Sequence, residues 1–223
     1  GVPGFEIDLG AQLEDRSYLD NGVQRTWGSS ANGLLDFLSL DEEGVAESLQ
    51  TNAYPYANPV VSDDGELMVY LSDMDSGDVS GTRAVWSVKS GSQFMEGRTP
   101  IDDGGYGDSH LQLAGSKDSA VAVWVRQSAE ITKEITGYDE NGSPIYAPLT
   151  PADQALQSNS TEIMAAVWDG ESWTSRQLTE NGTPDLAPVV ATNGTMTVAA
   201  WRAAAASDNE AVTTFDQQDN ILY

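Results

Sequence analysis

NPVVSDDGELMVYLSD, residues 58–73, holds a short strand, an Asp64-Gly65 turn and a second, apolar strand. Successive strand side chains point to opposite faces, so Leu67, Val69 and Leu71 share one face and Met68 and Tyr70 the other. Both sets are apolar, which demands cover above and below. The chain supplies that cover by repeating itself. Setting Pro59, Leu111 and Pro188 in one column brings PVVSDDGELMVYLS, LQLAGSKDSAVAVW and PVVATNGTMTVAAW into ungapped register, at intervals of 52 and 77 residues (111 − 59 and 188 − 111). Gly65, Lys117 and Gly194 then fall on the turn, and Val69, Val121 and Val198 on the second strand. Upstream, Leu49, Ile101 and Leu178 share a column. LQTNAYPYANP and LTENGTPDLAP have Leu, Asn and both prolines in common, and IDDGGYGDSHL uses glycines for the same loop.

Each unit continues into a second hairpin. Ala84–Val88 turns through Lys89-Ser90-Gly91 to Phe94, Ile163–Trp168 turns at Asp169-Gly170 to Trp173, and Ala211–Phe215 turns near Asp216 to Ile221. Leu34–Leu40, returning from Val45, forms a similar pair. Four strands per unit, buried on both faces, predict an all-β fold of β-propeller type with about three to four four-stranded blades. A β-sandwich would instead alternate apolar and polar positions along each strand. The chain is expected to be a single propeller-like domain over 1–223. Residues 1–55 would be an N-terminal remnant or partial blade, 56–108 a blade, 109–186 a blade with an insertion at 127–160, and 187–223 an incomplete blade. Either the N-terminal piece closes a small ring, or the ring is incomplete and its unpaired edges invite self-association. A start without Met and a stop at Ile221-Leu222-Tyr223 suggest an excerpt of a larger surface or secreted protein.

The 58–73 stretch resembles the TolB-type, WD40-like propeller repeat through Pro59, Ser62, Asp64, Gly65, Ser72 and Asp73. The later copies depart from it, with Asn193-Gly194 for Asp-Gly, Leu111 for Pro and Trp201-Arg202 for the closing Ser-Asp. The resemblance implies a propeller that binds, scaffolds or gates, and says little about activity.

Ten Lys and Arg against thirty-five Asp and Glu give a net charge of −25. Such a field repels phosphate backbones and anionic lipid, so neither nucleic acid nor membrane insertion is expected. There are no cysteines, which removes disulfides and thiolate chemistry. No apolar run approaches the ~18 residues a membrane-spanning helix needs. An acidic, lysine-poor and alanine-rich surface also reads as salt-adapted; secreted bacterial proteins often lack cysteine as this chain does, and an extracellular or cell-surface location in a bacterium is expected.

Asp73, Asp75 and Asp78 place three carboxylates in one loop, the kind of oxygen donor set that calcium takes, and they are the candidate metal ligands. The 102–108 loop, DDGGYGD, offers a second acidic stretch. His110, the single histidine, has no triad or zinc partners in the sequence and reads as a loop residue. No catalytic residue or cofactor other than calcium is expected. Trp86, Trp124, Trp168, Trp173 and Trp201 fall on repeat strands and read as core, whereas Trp27 and Tyr138 are candidates for exposed contact. Asn159, Asn181 and Asn193 match the glycan acceptor pattern, the last two at turns. The expected function is a non-catalytic binding or scaffold module presenting loops, and the insertion hairpin, to a protein or glycan. The alternatives are a glycosidase-type propeller using paired carboxylates and a purely structural spacer.

Overall fold

Strands pair antiparallel, nearly all with their neighbours in the sequence and several across short Asp-Gly or Asn-Gly turns; the one exception among the described strands is a pair that closes around an insertion. The structure, a computed structural model, describes residues 16–20, 23–29, 35–40, 46–50, 59–74, 81–90, 93–94, 99–204 and 220–222; before 59, and at 73, 93 and 220–222, it describes the backbone alone. One sheet holds β1 (Arg16–Asp20), β2 (Val23–Ser29), β3 (Leu35–Leu40) and β4 (Ala46–Gln50) in chain order. The second holds β5 (Val60–Val61), β6 (Leu67–Asp73), β7 (Thr82–Ser90) and β8 (Gln93–Phe94). The third starts with β9 (Asp108–Ser116) and β10 (Ser119–Gln127). A separate hairpin, β11 (Ile135–Tyr138) and β12 (Pro144–Tyr146), and helix α1 (Pro151–Asn159) then intervene. β13 (Thr161–Trp168) and β14 (Trp173–Gln177) complete that sheet in the order β9-β10-β13-β14. The fourth has three strands, β15 (Asp185–Thr192), β16 (Thr197–Ala203) and β17 (Asn220–Leu222). The described residues are all-β apart from α1, and none of their sheets closes on itself.

The strand beside β16 differs from the sequence expectation. Ala211–Phe215 lies outside the described residues, and Asn220–Leu222 pairs with β16 directly, setting Leu222 against Trp201. Phe5, Ile7 and Leu9 alternate with Glu6 and Asp8 as a half-buried strand would, and this stretch also lies outside them.

β6 is buried on both faces: Leu67, Met68, Val69, Tyr70 and Leu71 all lie below 7% exposure. Each such side chain contributes about 1.5–3 kcal/mol. One core layer lies between the second and third sheets, where Val69, Leu71 and Ala84 meet Leu111, Trp124 and Met164. Beside it Trp168 packs 4.7 Å from Trp86 and 5.3 Å from Trp173, measured between ring centroids. Its indole N–H donates to the Lys117 carbonyl at 2.6 Å. The opposite side of the third sheet, with Val121, Val123 and Ala165, faces Ala199 and Trp201 of the fourth. The outer side of the fourth sheet leaves Val189, Met196 and Val198 about half exposed or more.

The turn of the 58–73 stretch also ties one sheet to the next. The Ser62 hydroxyl donates to Asp64 Oδ1 at 2.6 Å and accepts from the Leu67 amide at 3.0 Å. Asp64 Oδ2 accepts from the Lys117 amide at 3.0 Å, and the Asp63 amide donates to the Gly115 carbonyl at 2.8 Å. Other ties recur from one sheet junction to the next. Ile101 donates to the Ala84 carbonyl as Leu178 does to that of Ile163, and Gln127 to Gly107 as Ala204 to Pro184. β9 and β15 both carry a bulge with a non-glycine residue at positive φ, His110 at 51° and Ala187 at 50°. Each stands one residue before its aligned position, Leu111 or Pro188. Left-handed backbone costs a non-glycine residue about 1–2 kcal/mol, so its recurrence at one repeat position marks it as part of the repeat.

Candidate functional site

The predicted calcium ligands lie outside what the structure describes. Asp75 and Asp78 fall outside the described residues, and Asp73 is placed only as the last residue of β6, paired with Thr82. His110 sits in β9 with its side chain exposed and its Nδ1 3.1 Å from Ser109 Oγ. Trp27 belongs to β2, and its side chain is not described. Trp124 and Trp168 are buried, while Trp86, Trp173 and Trp201 are half-buried. Asn181 and Asn193 each use Oδ1 to accept the backbone amide two residues on, at 3.0 Å, which is what their turns require.

The acidic 102–108 loop holds an arginine. Arg126 Nε donates to Asp108 Oδ1 at 2.9 Å and Nη2 to Asp108 Oδ2 at 3.3 Å. Nη1 donates to Asp102 Oδ1, and Nη2 to the Asp102 carbonyl at 3.2 Å. Asp108 also accepts from the Ala84 amide at 2.9 Å, so this cluster joins the third sheet to the second. Arg83 reaches the Gly105 carbonyl at 2.8 Å from β7. Burial opposes the charge of Asp102, but hydrogen bonds from Ser175 and Arg126 outweigh it and hold the carboxyl at about 2. At Asp108 burial wins and pushes the carboxyl up, against the pull of Arg126. Gly105, at φ +74°, gives Arg126 its room: a Cβ there would stand 2.5 Å from Arg126 Cδ.

The junction between the third and fourth sheets repeats this geometry with different residues. Asp108 lies opposite Arg126 across β9 and β10, and Asp185 lies opposite Ala203 across β15 and β16. Asp102 corresponds to Thr179, one residue after Ile101 and Leu178, and Arg83 to Glu162, one residue before Ala84 and Ile163. Two cations and two anions at the first junction thus become two anions at the second. Asp185 is wholly buried and Glu162 nearly so. The Thr179 hydroxyl donates to Glu162 Oε2 at 2.6 Å and accepts from the Ile163 amide at 2.9 Å. Thr179, Asn181 and Trp201 stand around the Asp185 carboxylate and favour its charge, but neither of its oxygens has a hydrogen-bond partner among the described residues. The buried Trp201 indole N–H is likewise unpaired among them. Burial pushes both carboxyls up, and at Glu162 the charge of Asp185 adds to it.

Two further features face solvent. A cleft of about 520 Å³ lies between the third and fourth sheets, lined by Val121, Val167, Arg176, Thr197 and Trp201 among others. The β11–β12 hairpin exposes Ile135, Tyr138, Ile145 and Tyr146, Tyr138 to 66%. Lys133 sits 5.7 Å over the Tyr146 ring. No helix among the described residues is long and apolar enough to cross a membrane, and none of their His, Asp and Glu side chains gather in threes as a metal site.

Sequence reasoning flagged Asp102 and Asp108 as an acidic loop but missed Arg126, Glu162 and Asp185. The available signal was the repeat alignment itself, which puts Asp108 and Asp185 in one column. No family model matches the sequence, and no curated protein matches it. Among solved structures, Kuenenia stuttgartiensis hydrazine synthase aligns over 83% of this chain and 51% of that one, with a TM-score of 0.45 and 11% identity. The chain spans about half the length of that protein, and a likeness of this degree carries no conclusion about fold or activity.

Proposed function

We propose that this chain is a non-catalytic binding module of β-propeller type, part of a larger extracellular or cell-surface protein, which presents the β11–β12 hairpin to a protein or glycan partner. The propeller reading is supported by successive antiparallel sheets in chain order, the double burial of β6, and junction ties that recur at repeat positions. The TolB-like Ser62-x-Asp64-Gly65 turn, which locks one sheet to the next, supports the same reading.

The hairpin carries the binding reading. Four large apolar side chains, each at least 45% exposed, stand on a two-stranded ribbon outside every other sheet. By the strand register Ile135, Tyr138 and Tyr146 share one face, an apolar and aromatic patch beside Lys133 in a chain of net charge −25, suited to stacking on a sugar ring or packing against an apolar partner surface. The patch is held open by its turn: Asp139 Oδ1 accepts from the amides of Asn141 and Ser143, both at 2.8 Å.

The Ala147 amide donates to the Glu134 carbonyl at 2.8 Å, so a two-residue turn can replace 135–146 without stretching the backbone. The shortened chain should keep its melting temperature to within about 2 °C, because the excised side chains are exposed. It should lose binding on a glycan array and in capture from extracellular extracts, as should Tyr138→Ser with Tyr146→Ser. Undiminished binding by both variants would reject the hairpin as the binding element.

A further inference from the structure

We propose that Glu162 and Asp185 hold a hard metal cation of the calcium class, in the place that the Arg126 guanidinium fills at the preceding sheet junction. Three observations converge on it. Asp185 is wholly buried, and both its oxygens lack a hydrogen-bond partner among the described residues. A carboxylate in that position is costly unless a positive charge lies against it.

The second observation is the comparison the chain makes with itself. At the first junction the strand partner of the buried aspartate is Arg126; at the second it is Ala203, whose side chain carries no charge. The groups acting most strongly on Glu162 and Asp185 are hydroxyl, amide, indole and carboxylate, none of them a cation. No Lys, Arg or His occurs between Arg202 and Tyr223.

The third observation is that no described side chain takes the place of the Arg126 stem at the second junction. Gly105 and Gly182 hold the same repeat position with nearly the same backbone, φ +74° and +67°. A Cβ on Gly105 runs into the Arg126 stem, whereas one on Gly182 meets nothing within 4 Å among the described residues. Two carboxylates balance one divalent ion, and the Thr179 hydroxyl against Glu162 is a further oxygen donor. An all-oxygen set of this kind suits calcium and gives a soft metal nothing to bind. Bound there, the ion would fasten β13 to β15 as Arg126 and Asp108 fasten the preceding pair of sheets.

The test is a titration of the whole chain, first stripped of metal with chelator, with calcium chloride at pH 7. It is followed by calorimetry and by thermal melting. One ion should bind at this site, and at a hundredfold excess over Kd the melting temperature should rise by about 5–10 °C. Asp185→Asn and Glu162→Gln should each abolish that rise. Ala203→Arg should abolish it too while raising the melting temperature in chelator, because it rebuilds the Arg126 arrangement. Asp73→Asn with Asp75→Asn and Asp78→Asn should leave the rise intact. The proposal is overturned if calcium binds no wild-type chain at millimolar concentration, or if the rise survives Asp185→Asn. Loss of the rise in the Asp73, Asp75 and Asp78 variant alone would also overturn it. Failure of the hairpin to bind a partner leaves this titration unaffected, since the two regions share no residue.

Discussion

Replacing Arg126 by Met tests whether the first sheet junction is fastened by charge. Met keeps the apolar stem that lies against Gly105 while removing the guanidinium. Four hydrogen bonds go, two to each carboxyl-bearing residue. The Asp108 side chain has no exposure, and it would keep only the Ala84 amide at 2.9 Å and the more distant field of Arg83. Breaking one side of a buried pair costs about 3–5 kcal/mol, since the orphaned charge remains. In a domain of this size that lowers the melting temperature by about 6–20 °C. Urea unfolding of the wild type, Arg126→Met, Asp108→Asn and the double variant at pH 7 closes a double-mutant cycle. The double variant should be more stable than Arg126→Met alone, with a coupling of at least about 1.5 kcal/mol. A loss below about 1 kcal/mol for Arg126→Met, or additivity within about 0.5 kcal/mol, would refute the reasoning.

Two further predictions separate the junctions. Gly105→Ala must push a Cβ into an arginine stem pinned by its own hydrogen bonds and should cost about 2–4 kcal/mol. Gly182→Ala, in open space at a similar φ, should cost about 1 kcal/mol in chelator; equal losses in urea unfolding would contradict the difference in packing. The second concerns pH. Because the folded-state carboxyls of Glu162 and Asp185 are raised, the stability linked to their protonation is complete below their ordinary values of 4.5 and 3.8 and is lost as pH rises through the folded values. In chelator, Asp185→Asn should therefore melt above the wild type at pH 7 and lose that advantage as the pH falls to 3.5. A difference that stays constant across that range would show that the carboxyl does not titrate in the fold.

Turns and buried strands were legible in the sequence because each rests on neighbouring residues. Asp64-Gly65 and Asn193-Gly194 sit where the backbone takes positive φ at the glycine, and the two-faced apolar run of β6 is buried on both sides. The helix was legible in part. Within the insertion, Ala152 to Leu156 reads as a short helix set among Pro148, Pro151, Ser158 and Asn159, whereas Thr150 and Asp153 form a capping box that starts α1 at Pro151, and the helix runs to Asn159. The insertion hairpin shifted along the chain. The sequence suggests strands at Ile131–Ile135 and Ile145–Ala147 around a Tyr138–Gly142 turn, but the first strand begins at Ile135, because the Asp139 turn fixes the register and sets Tyr138 against Pro144. The charged junctions were not legible, since they form only where a loop, a strand and the preceding sheet meet. Asp102 and Asp108 looked like free carboxylates until the fold brought Arg126 against them from the next strand. Glu162 and Asp185 stand 23 residues apart (185 − 162) on strands that flank β14 in the chain, so nothing local marked them as a pair.

The central claim is that the chain builds one kind of sheet junction twice, with the buried aspartates 108 and 185 in equivalent places. A crystal structure of the chain grown in calcium measures this directly. The account predicts that the two junctions superpose through β9 and β15, with Arg126 against Asp108 and a metal ion between Asp185 and Glu162. Solvent around the Asp185 carboxylate, or β15 paired with β16 in a register that moves Ala203 away from it, would contradict the account.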